Sequence, residues 1–156
     1  MTTQSYLEQF ERMKRYFTIF KNINDGKVHD QPSQFYDDNV HAFFQNCYHL
    51  KDWIKNDPIC ATWSKVEDFI NNDKNLKLCA DLCNAQKHLT LTKSRSNEDP
   101  RFTKNKTKLE IGKRESIHIS INYTISTSSG DIDAFELAER CIVAWENYIN
   151  ANKKLP

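Results

Sequence analysis

Ile117-His118-Ile119-Ser120-Ile121-Asn122-Tyr123-Thr124-Ile125 alternates apolar and polar side chains without a break. A period of two puts Ile117, Ile119, Ile121, Tyr123 and Ile125 on one face of an extended strand and the polar residues on the other. It is the one clear strand signal in the chain. Leu109 to Gly112 offers a partner strand, turned through Lys113-Arg114-Glu115, so the pattern predicts a β-hairpin over 109–126. A lone hairpin is marginal in water and must lie against something larger.

What it lies against is helical. Just downstream, Asp133 stands three residues before Glu136 in the spacing of a capping box, and Ile132 and Leu137 occupy the staple positions. From there Leu137, Cys141, Ala144, Trp145, Tyr148 and Ile149 mark one face of a helix running to about Asn150. Upstream, Thr92 to Lys108 is polar, aperiodic and contains Pro100. It reads as a connecting loop over 92–108. Before it, Leu78, Leu82, Ala85 and Leu89 share a face in a helix from Lys74 to about Leu91, with Asp73 as its cap.

Three further helical segments precede that one. Leu7, Phe10, Met13, Phe17 and Phe20 recur at helical spacing between Gln4 and Asn24, and Asn24-Asp25-Gly26 ends the run. Phe35, Val40, Phe43, Phe44, Cys47, Leu50 and Ile54 face one way in a segment capped by Ser33 and stopped at Asn56-Asp57-Pro58. Ile59 to Ile70 predicts a shorter third helix through Trp63, Val66 and Phe69. The expected fold is mainly α: about five helices in a bundle, with a β-hairpin inserted before the C-terminal helix, as one domain over 1–156.

Composition narrows the function. The charged share is 28%, but the net charge is only +1, which lacks the basic excess of a dedicated nucleic-acid binder. A local patch remains open, because Lys87, Lys93, Arg95, Arg101, Lys104, Lys106 and Lys108 cluster after the fourth helix, with Phe102 among them. Only Gly26, Gly112 and Gly130 are glycines, too few for a phosphate-cradling loop. No cofactor is expected. The N-terminus carries no secretory pattern and no segment has transmembrane length, so no membrane association and a cytoplasmic location are expected. The five cysteines are odd in number and lack a Cys-x-x-Cys pair, which fits buried free thiols. Cys79 and Cys83 lie one turn apart with His49, His88 and Cys47 as conceivable neighbours, yet structural zinc sites normally show closer pairs on turns. No metal site is predicted.

Chemistry concentrates at the end of the fourth helix. Asp81, Asn84 and His88 follow one another at offsets of three and four, along a polar strip beside the apolar face. The run Cys83-Asn84-Ala85-Gln86-Lys87-His88 resembles the motif of HEPN domains, in which a polar residue such as Asn follows an Arg and a His stands five positions after that Arg. Asn84 and His88 match, and Cys83 occupies the arginine position. The resemblance implies an RNA-directed helical domain of toxin or phage-defence type. It also implies that His88 would move a proton at the ribose hydroxyl, with Asn84 beside it. A phosphate-holding cation would have to come from Lys87, Lys93 or Arg95, and lysine lacks arginine's bidentate fork. His49, on the second helix, would assist if the second and fourth helices pack side by side. The plainer reading is a polar layer in which His49 and His88 bond Asp52, Asp81 or Asn84. On that reading the chain is a non-catalytic interaction domain, a homodimer or a binder of a protein partner.

Overall fold

Helix α1 (Tyr6–Asn24) turns its rings inward because Tyr6, Met13, Phe20 and Ile23 return to one face at helical spacing. A computed structural model describes residues 4–26, 31–111 and 117–153, with 104, 105, 111, 117 and 118 as backbone only. Leu7, expected on the buried stripe, is 43% exposed; Gln9 is buried in its neighbourhood instead and bonds Asn46 of the next helix. Helix α2 (Ser33–Asn56) packs along α1 and buries Val40, Phe43, Phe44, Cys47, Leu50 and Ile54. Asp57 stops it and then holds two backbone amides, Tyr6 N at 2.8 Å and Ile59 N at 2.9 Å, tying the end of α2 to the start of α1.

The third helix is shorter than its periodicity suggests. A single 3-10 turn covers Pro58–Cys60, and α3 begins only at Val66 and ends at Asn72. The break at Ser64 has a tertiary cause. Its N–H donates to Asn152 Oδ1 at 2.8 Å and its carbonyl accepts from the Tyr148 hydroxyl. Those partners satisfy a backbone that has left the helix. Helix α4 (Lys74–His88) starts on Asp73, whose carboxylate accepts from Asn75 N and Leu76 N at 2.9 Å. It ends three residues before the expected Leu91, because Leu89 takes φ +63°.

The sheet is larger than the expected hairpin. Strand β1 runs Arg101–Ile111 and β2 runs Ile117–Thr127, antiparallel from Arg101 opposite Ser126 to Ile111 opposite Ile117, with the register shifting by one residue between Phe102 and Lys104. The connection read as loop over 92–108 therefore ends at Pro100. The hairpin expected over 109–126 also gains a third strand, β3 (Gly130–Asp133), giving the order β1-β2-β3. Residues 101–108 carry no apolar alternation because β1 is an outer strand: Thr103 and Lys106 to Glu110 are exposed. The turn expected at Lys113-Arg114-Glu115 lies outside the described residues.

Helix α5 (Ala134–Lys153) opens as its cap predicts, with Glu136 N donating to Asp133 Oδ1 at 2.8 Å. Its inner face meets α1, α2, α4 and β2. The core is built of rings: Phe20 sits among Phe43, Phe44, Tyr123 and Phe135, and Trp145 lies between Phe69 and Tyr148. Burial of each such side chain stabilises the fold by about 1.5–3 kcal/mol. Ile121, Tyr123 and Ile125 complete this core from the sheet. The chain is thus mainly helical, with five α-helices among the described residues and a small antiparallel sheet before the last. None of these helices is long and apolar enough to cross a membrane.

Candidate functional site

The polar strip of α4 separates into two roles. Asp81 is fully buried and works as an anchor for the chain that follows the helix. Its carboxylate accepts from Ser94 Oγ and Arg95 N at 2.8 Å, from Ser96 N at 2.9 Å, and from Ser96 Oγ. Asn84 is half-buried and His88 exposed, and the anchored loop folds back beside them. Together Asn84, His88, Thr90, Leu91, Thr92 and Lys93 line a depression of about 200 Å³. Arg101, at the start of β1, donates from Nη1 to the Leu89 carbonyl at 3.1 Å, closing the loop from its other end.

Backbone strain collects in the same loop. Leu89, Asn97 and Asp99 have φ values of +63°, +59° and +41°. Asn and Asp adopt this region with little penalty, but leucine does so only when its surroundings impose it. At Leu89 those surroundings include the Arg101 bond to its carbonyl and the pull of Asp81 on residues 94–96.

Of the residues singled out from sequence, Asn84, His88 and Lys93 share the depression, while Lys87, Arg95 and His49 do not line it. Arg95 faces another way, with Nη1 bonding Glu67 at 2.9 Å and Asn71 at 3.0 Å and Nη2 bonding the Tyr48 hydroxyl at 3.2 Å. Burial alone would raise the Glu67 carboxyl, but the Arg95 bond and the nearby Lys51 ammonium hold it below the usual carboxylate range. This is a fold-holding ion pair, so Arg95 is not a free phosphate clamp. Lys87 is exposed on α4.

Helices α2 and α4 do pack side by side, but His41 is the α2 histidine that meets α4. Its Nδ1 bonds the Gln86 side chain, and its ring lies 4.7 Å from that of Phe102. His41, Phe44 and Tyr48 form the facing row at offsets of three and four. Tyr48 receives Arg95, and the Phe44 carbonyl accepts from Cys79 and Cys83. His49 lies about 100° further round the helix, where it is exposed.

The position of Cys83 bears on the chemistry. Its thiol is buried and donates to the Phe44 carbonyl at 3.1 Å. An arginine there would point into the contact between α2 and α4, away from His88. With one histidine and one lysine the depression can hold an anion. A second acid–base group is not among the residues that line it. The C-terminal end of α4 opposes an anion by about 0.3–1 kcal/mol, an effect that one neighbouring lysine offsets.

Sequence reasoning missed a larger cleft of about 580 Å³ at the N-terminal ends of α4 and α5. Lys74, Lys77 and Arg140 line it together with Glu98, Asp131 and Glu136. These residues are scattered over the chain and have no pattern that links them. Compared with family models, curated proteins and solved structures, the chain matches none.

Proposed function

We propose that this chain is an RNA-binding helical domain, HEPN-like in character, that engages the phosphate backbone through Asn84, His88 and Lys93 and does not cleave it efficiently. The observation that carries the reading is the shared depression, which gathers an amide, an imidazole, an ammonium and the hydroxyls of Thr90 and Thr92 around one anion-sized space. Lys106, exposed on β1, adds a cation on the strand whose first residue, Arg101, bonds the loop at Leu89, while Lys108 is paired with Glu110. The buried thiol at Cys83 argues for binding over cleavage, because arginine cannot act from that position.

The test is binding of a fluorescent single-stranded RNA, followed by anisotropy over a range of salt, with total-RNA cleavage in chelator run alongside. Lys93→Ala should weaken binding and flatten the salt slope by about 0.7, the value for one phosphate contact on a single strand. His88→Ala should weaken it as well, by loss of one side chain that lines the depression. An absence of binding by the native chain at low salt would end the reading. Chelator-resistant cleavage lost in His88→Ala would replace binding with catalysis.

A second reading, a homodimer or partner-binding domain without RNA, is favoured by a different observation. Among the described residues strand β1 has no neighbour on its outer side, and Leu109 on it is 61% exposed. Sedimentation equilibrium decides this one. A dimer that Leu109→Lys disperses supports it, and a monomer at every concentration removes self-association.

A further inference from the structure

Three cysteines from three different helices converge in the core. Cys47 on α2, Cys79 on α4 and Cys141 on α5 place their sulfurs within 4.8 Å of one another, and all three are fully buried. Cysteine often fills a core as a small apolar residue, and convergence alone would need no other explanation. A second observation separates this cluster from ordinary packing. The indole N–H of Trp145, on the turn of α5 that follows Cys141, is one of two buried side-chain polar atoms that have no hydrogen-bond partner among the described residues. Trp145 stands one helical turn after Cys141 on the same buried face of α5, which brings its indole to the cluster. A neutral thiol is a poor acceptor, and leaving a buried donor unsatisfied costs about 1–3 kcal/mol. A thiolate there would accept it.

We propose that Cys47, Cys79 and Cys141 form a site for one thiophilic metal ion of the d10 class, Zn²⁺ or Cu⁺. Sulfur donors select these ions over Mg²⁺ or Ca²⁺. Metal–sulfur bonds of about 2.3 Å in tetrahedral array put sulfurs about 3.8 Å apart. The sulfurs here, at up to 4.8 Å, therefore need to draw in by about 1 Å at most, a change within side-chain rotation. Cys83, one turn beyond Cys79, donates to the Phe44 carbonyl and lies outside the cluster, so the protein supplies three sulfurs. Trp145 then acts as the outer donor that orients and stabilises a thiolate of the cluster, as hydrogen bonds to metal-bound ligands commonly do.

The protons balance in a simple way. Each metal–sulfur bond forms as one S–H bond breaks, so three cysteines release three protons to water and no electrons move. All three sulfurs are fully buried, and burial disfavours a charged thiolate, so without metal the thiols stay protonated. A bound cation reverses that preference by supplying the opposing charge. Because the cluster is closed to solvent, loading is coupled to folding. The ion would join α2, α4 and α5, which at this point are otherwise held by packing and by weak thiol bonds to the Phe44 and Asn75 carbonyls.

The experiment uses the full chain, unfolded in urea with a non-chelating reductant and refolded with one equivalent of Zn²⁺, or with Cu⁺ under anaerobic conditions. Co²⁺ serves as a spectroscopic probe. The expected result is one ion per chain after dialysis, release of three protons, thiolate-to-cobalt charge-transfer bands and a higher Tm for the loaded protein. The arm that retains metal in competition identifies the ion. Cys79→Ala and Cys141→Ala should each lose the ion. Cys60→Ala, a buried cysteine outside the cluster, should keep it. Trp145→Phe should keep the ion with affinity lowered about 10–100-fold. Circular dichroism on each variant separates loss of metal from loss of fold. A natively folded wild-type chain that retains none of the three ions overturns the proposal. So does retention by a folded Cys141→Ala equal to that of wild type.

Discussion

Replacing Asp81 by alanine should unfasten the loop that walls the candidate site. The carboxylate is fully buried and receives two backbone N–H groups and two hydroxyls. Hydrogen bonds to a charged acceptor contribute about 1.5–3 kcal/mol each, so four would sum to about 6 kcal/mol or more if the loop stayed in place. It need not stay. Residues 94–96 can lift away and bond water instead, which limits the loss to the free energy that docks the loop. That energy includes the Arg95 pair with Glu67 and the Arg101 bond at Leu89. The expected loss is therefore about 2–4 kcal/mol, the range for removing one side of a buried polar network.

Urea unfolding followed by far-ultraviolet circular dichroism measures this directly. With a slope of about 2 kcal/mol per molar, the midpoint should fall by about 1–2 M. Trypsin supplies a local readout, because cleavage after Arg95 requires the loop to open. The variant should be cut there faster than wild type under native conditions, while sites within α5 stay protected. Asp81→Asn gives a graded control. An amide that keeps its oxygen at the Oδ2 position retains the Ser94 and Ser96 bonds but opposes Arg95 N with a second donor. It should lose about half as much. A midpoint shift under about 0.3 M, together with an unchanged cleavage rate after Arg95, would refute the idea that Asp81 holds the loop.

Acid should remove the contribution of Glu67. Its folded carboxyl lies below the usual range, so its stabilisation is present above the ordinary value near pH ~4.3 and is lost as pH falls through the lowered one. Glu67 is a third exposed, so Glu67→Gln should cost only about 0.5–1 kcal/mol at pH 7, and in urea titrations the difference from wild type should shrink as pH falls below the ordinary carboxylate value. Gly26→Ala should destabilise by about 1–2 kcal/mol in thermal melts, because φ is +78° there and a new Cβ would lie 3.2 Å from the Ile119 backbone. An unchanged Tm would contradict the close approach of that turn to β2. Asp133→Ala should cost about 1 kcal/mol by loss of the α5 cap, seen as a lower urea midpoint with the slope unchanged.

The helices that were legible are those whose ends are set by their own residues. Asp73 and Asp133 cap α4 and α5 by side-chain bonds to amides two or three positions on, and such bonds are written in local spacing. Strand β2 was legible because Ile121, Tyr123 and Ile125 bury one face. Of strand β1 only the end from Leu109 to Ile111 was, since an outer strand exposed at Thr103 and from Lys106 to Glu110 needs no apolar alternation and its first part reads as loop. The third helix failed for a further reason: Ser64 leaves the helix for Asn152 and Tyr148, partners far along the chain.

The same distinction governs the site. Asn84, His88 and Lys93 come together through chain connectivity, since the loop returns directly over the helix that precedes it. Pairing across helices follows another logic. His41 and His49 both lie on α2, and which one meets α4 depends on a rotation of the helix that neighbouring residues settle. Phe44 settles it, because its ring is fully buried and its carbonyl is capped by two thiols of α4. That fixes His41 inward and His49 outward. The cysteines obey this rotation too. Cys47 stands three residues after Phe44 and so turns into the core toward Cys79 and Cys141. Sequence spacing shows no cluster because each thiol comes from a different helix. Only the packing that aligns Phe44 with α4 assembles them, so Phe44→Ala should disturb both the His41 contact and the thiol cluster. A Phe44→Ala chain that refolds and still retains the same ion as wild type would show that the cluster does not depend on this helix contact.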